Sequence, residues 1–277
     1  MTETFTITTE PNEHAFRNLK ILLAEDNEVN QLLAKGILRL WGIDAKVATT
    51  GYEVLDLINS EDFDLILMDI QMPEKSGIEA AGEIRELADL KKKNIPIIAL
   101  TANGLMGEEK KYQDVGMDDF LTKPFKQADL YEVIERVVMK KEGSFGRINT
   151  NQTAVNQMET ILQEEKLYDL KQLEEIAAGN QDFLISLARI YLNTVPQNSA
   201  ELVEASKANE WDKVSKLAHK LKSTVDTMNL DCIKIDIRTL EVDAKNKVNK
   251  DALKTLALKV DNVIQTVARQ LQHDFSL

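Results

Sequence analysis

Five short apolar runs alternate with five amphipathic segments through the first half of this 277-residue chain, and that alternation leaves few folds open. The runs are Ile21–Ala24, Ala45–Ala48, Leu65–Met68, Ile97–Leu100 and Phe120–Leu121. Each is short and continuously apolar, the pattern of a strand buried on both faces. Between and after them, Val29–Trp41, Tyr52–Ile58, Ile78–Leu87, Glu108–Val115 and Ala128–Met139 carry helical periodicity, with Gly42, Gly51, Gly77 and Gly116 punctuating the boundaries. Strands alternating with helices predict an α/β, doubly wound, five-stranded parallel sheet covered on both faces. Ligands of such sheets bind beyond the carboxyl ends of the strands.

From Lys140 the pattern changes. Residues 142–163 are polar, with Gly143, Gly146 and several Asn, Thr and Gln, and read as a linker. After it strand alternation disappears. Helical periodicity places helices at about 169–178, 181–208, 211–227, 231–246 and 250–273, with Asn180, Asp212 and Asp231 as N-caps. Pro196 is positioned to kink or split the second of these. Short connections between long helices predict an all-α antiparallel bundle. The expected order is a polar tail over 1–18, an α/β domain over 19–140, a linker over 141–165 and a bundle over 166–277.

Composition narrows the function. The net charge is −12, with −10 carried by the first 140 residues and −2 by the rest, so neither half has the basic surplus of a nucleic-acid binder. No stretch reaches the roughly 20 apolar residues that span a bilayer, and residues 1–18 lack an apolar signal-peptide core. The single cysteine, Cys232, cannot form an internal disulfide and fits a reducing cytosol; it is expected to pack against a neighbouring helix. The expected location is cytoplasmic.

The strand ends carry the chemistry. Glu25-Asp26 closes the first run, Asp69 the third and Thr101 the fourth, and Lys123-Pro124 follows the fifth. Three acids, a hydroxyl and an amine suit a divalent metal and a phosphoryl group. Mg²⁺ needs only one or two carboxylates and keeps several waters, which Asp26 and Asp69 can supply, with Glu25 acting through water or setting the local field. Phosphoryl transfer needs a nucleophile, charge neutralisation and positioning. Asp69 is the candidate nucleophile, Lys123 the neutralising cation and Thr101 the hydrogen-bond donor to the phosphoryl oxygens.

These residues resemble a known family. Leu22-Leu23-Ala24-Glu25-Asp26-Asn27, Met68-Asp69-Ile70-Gln71-Met72-Pro73, Thr101-Ala102 and Lys123-Pro124-Phe125 look like the receiver domain of two-component signalling, in order and at the expected intervals over 19–140, and most like the receivers fused to hybrid histidine kinases. The resemblance implies a flavodoxin-like fold, phosphorylation of Asp69 and Mg²⁺ as cofactor, with the Gln71 backbone carbonyl completing the metal shell. It also implies that Thr101 and Phe120 form the switch pair, the ring turning inward as Thr101 moves toward the phosphoryl group. A haloacid-dehalogenase-like phosphatase, the rival phosphoaspartate chemistry, wants a second Asp where Gln71 stands.

His219 offers a second phosphoryl acceptor. On the amphipathic segment Trp211–Met228 the apolar stripe is Val214, Leu217, Ala218, Leu221, Val225 and Met228, and His219 lies off its centre, expected exposed between Ser215, Lys216, Lys222 and Ser223. Lys216 and Lys222 would steady an incoming phosphoryl group, while Ser215 and Ser223 leave room for a partner's surface. Ala218-His219-Lys220-Leu221-Lys222-Ser223 resembles the histidine-containing phosphotransfer (Hpt) domain, over about 165–277. The family usually has glycine at the positions of Ser223 and, often, Asn229; serine keeps the site small, and asparagine tolerates the left-handed backbone of a helix end. His14 and His273 are given no role.

Together these readings predict a phosphorelay intermediate. An upstream histidine kinase would phosphorylate Asp69, and His219 would pass phosphoryl to or from a receiver aspartate of a downstream regulator or of this chain. No Gly-rich nucleotide loop is visible, so no use of ATP is expected. A flexible linker of roughly 22 residues spans about 25 Å, which permits contact between receiver and bundle without requiring it. Two other readings fit the same residues: a phosphorylation-switched docking module in which His219 is idle, or the detached C-terminal part of a hybrid kinase.

Overall fold

The computed structural model describes residues 16, 18–102, 109–139, 166–177 and 179–277, which divide between two compact units. The polar tail apart from Phe16 and Asn18, the 141–165 linker and His14 lie outside the described residues.

In the first unit, β1 (Ile21–Ala24), β2 (Lys46–Ala48), β3 (Leu65–Asp69), β4 (Ile97–Thr101) and β5 (Asp119–Thr122) form one sheet in the order β2-β1-β3-β4-β5, every pairing parallel. All residues of β1, β3 and β4 are buried, as continuous apolar runs require when helices cover both faces. The helices are α1 (Glu28–Leu40), α2 (Gly51–Ser60), α3 (Gly77–Arg85), α4 (Leu90–Lys93), α5 (Glu109–Asp114) and α6 (Gln127–Val138). This is the flavodoxin-like doubly wound fold. The chain reverses its winding beside β1, so the carboxyl ends of β1 and β3 open side by side: Ala24 pairs with Met68, one residue before Asp69.

Local chemistry sets the helix starts. Thr50 caps α2 by accepting from the Glu53 N–H, and Ser76 with Glu79 makes a reciprocal capping box at α3. The one-turn α4 was not anticipated from periodicity, since four residues are too few to show any; Asp89 nucleates it by accepting from the Lys91 and Lys92 N–H groups. Arg85, at the end of α3, donates to the carbonyls of Gly116, Lys93 and Ile95 and to the Asp118 carboxylate, satisfying turn groups around the amino ends of β4 and β5.

The second unit is helical: α7 (Lys171–Ala177), α8 (Gln181–Lys207), α9 (Trp211–Thr227), a 3₁₀ turn Asp231–Ile233, α10 (Lys234–Asn246) and α11 (Lys250–Asp274). Helix α8 packs on α9 and α11, and α10 packs on the same two, closing a bundle around buried Tyr191, Leu202, Leu221, Leu240 and Ile264. Helix α8 runs unbroken through Pro196, whose carbonyl accepts from Ser199 Oγ and from Gln265 of α11. Asn180 caps α8 as expected, accepting from the Phe183 N–H. Asp212 and Asp231 do not cap: Asp212 lies inside the first turn of α9, and Asp231 opens the 3₁₀ turn ahead of α10. Asn229 adopts the left-handed backbone expected of it, at φ 51°. Cys232 is exposed rather than packed between helices, because the 3₁₀ turn points Ile233 inward instead. No helix among the described residues is long and apolar enough to cross a membrane.

Two glycines of α3 make a controlled comparison. A Cβ on Gly77 would stand 2.0 Å from the Asp69 carbonyl oxygen, whereas a Cβ on Gly82 meets nothing within 4 Å. Gly82→Ala should therefore stabilise the protein by about 0.5–1 kcal/mol through helix propensity. Gly77→Ala should destabilise it, because the only relief is to push the α3 start away from the end of β3. Urea unfolding of both variants checks the opposite signs.

Candidate functional site

The carboxyl ends of β1, β3, β4 and β5 bring Glu25, Asp26, Asp69, Thr101 and Lys123 together, as the strand-end pattern required. Carboxylate oxygens of Glu25, Asp26 and Asp69 lie within 4.8 Å of one another. Lys123 reaches across from the end of β5, its Nζ 2.7 Å from Asp69 Oδ2 and 2.5 Å from Glu25 Oε2. Glu25, Asp69 and Lys123 are almost fully buried and Asp26 is half-buried. Burial alone would drive Lys123 toward its neutral form. The charges of Asp69 and Glu25 outweigh it and lift its pKa above the ordinary lysine value. The Gln71 backbone N–H donates to Asp69 Oδ1 at 3.1 Å, fixing the carboxylate plane. An all-oxygen cluster with one half-exposed carboxylate is compatible with Mg²⁺, which takes oxygen ligands and retains waters.

Thr101 ends β4, buried beside this cluster, and Phe120 is buried on β5. Sequence reasoning missed Tyr112 of α5. Its hydroxyl donates to Thr101 Oγ1 at 3.1 Å, and its ring meets Phe120 with centroids 6.0 Å apart. Tyr112 was legible only as the buried position of a short amphipathic helix, which is the usual place for a tyrosine with no special role.

In the helical unit the structure corrects one expectation and adds a residue. His219 is only 23% exposed, not fully solvated, because Glu241 of α10 covers it. His219 Nδ1 lies 2.6 Å from Glu241 Oε1, and Lys222 Nζ lies 2.7 Å from Glu241 Oε2. Ser215 Oγ donates to the Glu241 carbonyl at 2.9 Å. Lys222 is therefore buried and turned to Glu241, whereas Lys216 is exposed and Ser223 half-buried. Burial opposes ionisation of Glu241, but its bonds to His219 and Lys222 prevail and hold its pKa down at about 2. A signal for Glu241 did exist. It borders the apolar stripe Ile237, Leu240, Ala244 of α10, as Lys222 borders the stripe of α9, and two opposite charges on facing stripe edges invite pairing.

The first cluster generates a metal-linked prediction. Lys123→Met leaves Glu25 and Asp69 buried without a counter-charge and should cost the metal-free protein about 3–5 kcal/mol. Mg²⁺ should recover more stability in this variant than in the wild type, and little in Asp26→Asn. Thermal unfolding with and without Mg²⁺ reads both effects.

The model of the response regulator receiver domain matches residues 21–135. Hybrid signal transduction histidine kinase I of Dictyostelium discoideum is 41% identical over 145 residues, half of this chain and 8% of that protein. Sensor histidine kinase GacS of Pseudomonas protegens is 30% identical over 214 residues, 76% of this chain and 23% of that protein. Signal transduction histidine-protein kinase BarA of Escherichia coli (strain K12) is 25% identical over 255 residues, 91% of this chain and 27% of that protein. The chain thus spans between 8% and 27% of these relatives' lengths. Among solved structures, the receiver domain of sensor histidine kinase PA1611 from Pseudomonas aeruginosa PAO1, with a magnesium ion coordinated in its active-site cleft, is 37% identical. It covers 44% of this chain and 98% of its own, at a TM-score of 0.41. Residues 21–135 are a response regulator receiver domain, and its homologues include hybrid histidine kinases.

Proposed function

We propose that this chain is a cytoplasmic phosphorelay intermediate, a receiver over 19–140 joined through a linker over 141–165 to an Hpt-type bundle over 166–277. The observation that carries the reading is the Lys123 ammonium bonded to Asp69 inside a carboxylate cluster at the sheet's switch point. A phosphohistidine of an upstream histidine kinase presents its phosphorus to an Asp69 carboxylate oxygen. The new O–P bond forms as the N–P bond breaks, and its electron pair returns to the donor's ring nitrogen. Lys123 neutralises the phosphoryl oxygens, and the Thr101 hydroxyl donates to one of them. Mg²⁺ held by Asp26, Asp69 and the Gln71 carbonyl, with Glu25 nearby, supplies the remaining charge neutralisation when bound.

His219 then takes phosphoryl from a receiver aspartate or returns it to one, linking the upstream kinase to a downstream response regulator. The support is its place on a bundle helix with an ionised acid behind its ring. Further support comes from the GacS and BarA matches of 214 and 255 residues, which are longer than the receiver match over 21–135 and so take in part of the helical unit. The contact of Tyr112 with both Thr101 and Phe120 favours a second reading, in which phosphorylation re-sets a docking surface and His219 is idle.

Labelling with Mg²⁺ and acetyl phosphate, resolved by acid and base lability, separates the two readings. Wild type should carry acid-labile, base-stable phosphohistidine, and Asp69→Ala should carry no phosphate. His219→Ala should keep only the base-labile acyl phosphate. Wild-type label confined to Asp69, even after a phosphorylated partner receiver is added, would leave the docking switch as the function.

A further inference from the structure

Thr101 closes the central strand of three, with different chemistry on its two sides. On one side β3 pairs with β4 and places Asp69 beside Leu100. On the other side β5 pairs with β4 and places Phe120 beside Ala99. Tyr112 belongs to this second side: it lies on α5, the helix between β4 and β5, and its ring meets that of Phe120. Its hydroxyl donates to Thr101 Oγ1 at 3.1 Å. Phe120 has no hydroxyl, so of the two rings only Tyr112 can tie Thr101 by a hydrogen bond. Tyr112, Phe120 and Thr101 are 2%, 3% and 4% exposed, so bulk water does not compete for that bond.

We infer that Tyr112 is a positioning residue that restrains Thr101 in the unphosphorylated receiver: its buried hydroxyl holds the Thr101 hydroxyl toward α5 and β5, and Thr101 engages a phosphoryl group on Asp69 only by giving that bond up. The inference rests on the reading above, with Asp69 as phosphoryl acceptor and Thr101 as a donor to it. The two attractions are opposed, since a phosphoryl group on Asp69 draws Thr101 toward β3 while Tyr112 draws it toward β5. Tyr112 cannot follow across the strand, because α5 fixes its backbone and Phe120 and Met117 pack in the same apolar cluster as its ring. The bond therefore belongs to the resting state and lowers the affinity of the site for phosphoryl. It also links α5 to the occupancy of Asp69, since the helix keeps this contact only while Thr101 faces it.

Tyr112→Phe tests this by removing one oxygen and keeping the ring. Full-length protein is titrated with beryllofluoride in the presence of Mg²⁺, and the ¹⁹F signal of the bound anion reads the affinity of Asp69 for a phosphoryl mimic. Tyr112→Phe should bind the mimic roughly 5-fold more tightly than wild type, the worth of one hydrogen bond. Without the anion the same variant should unfold at a lower temperature than wild type, because its resting state has lost that bond. Opposite signs separate a restraint from a merely structural contact, whose loss would weaken both. Thr101→Val removes the acceptor while keeping the shape, and in that background Tyr112→Phe should leave the affinity unchanged. Thermal unfolding checks that each variant is folded.

Unchanged or weaker binding by Tyr112→Phe would overturn the inference, because the bond would then persist when the mimic is bound. An equal gain in the Thr101→Val background would also overturn it, since the hydroxyl would be acting on a group other than Thr101. A wild type whose unfolding temperature rises with Mg²⁺ but which binds no beryllofluoride would remove the reading of Asp69 as phosphoryl acceptor, and the inference with it.

Discussion

The Lys123 ammonium lodged between Asp69 and Glu25 is the interaction on which the receiver site depends. Three carboxylates crowded within 4.8 Å repel one another, and two of them are nearly fully buried. An unpaired buried charge costs several kcal/mol, far more than a surface ion pair returns. Without a cation the ends of β1 and β3 could not approach as the sheet register demands. One lysine at the end of β5 meets that requirement only in part, since it offsets one of three negative charges. The residual negative charge makes the cluster receptive to a divalent ion. The same feature that strains the fold is thus what makes the cluster compatible with a cation.

The helical unit solves a related problem differently. Glu241 is half-buried with Lys222 and His219 sharing its carboxylate, and Ser215 ties down the backbone behind it. In the receiver, a lysine holds the acids at the strand ends. In the bundle, a lysine holds an acid that also contacts a histidine.

Much of this was legible from sequence because the signals were periodic and local. Strand-length apolar runs, each ending in a polar residue, located Glu25, Asp26, Asp69, Thr101 and Lys123 on the correct edge of the correct kind of sheet. Helix α4 was lost because one turn has no period, and Asp212 and Asp231 were misjudged as caps because capping is decided by the backbone at the helix start. Cys232 and His219 were misjudged in exposure for a common reason. Helical spacing tells which residues share a face, but not which neighbouring helix covers it.

The amino-acid order by itself determined the two kinds of architecture, the strand-end site and the candidate histidine, since these follow from spacing along one segment. Tertiary structure decided which groups meet across segments. Glu25 with Lys123 lie 98 residues apart, His219 with Glu241 lie 22 apart, and Thr101 with Tyr112 lie 11 apart on different elements. Hydrogen bonds act over about 3 Å, so their partners are fixed only when packing brings separate elements to that range.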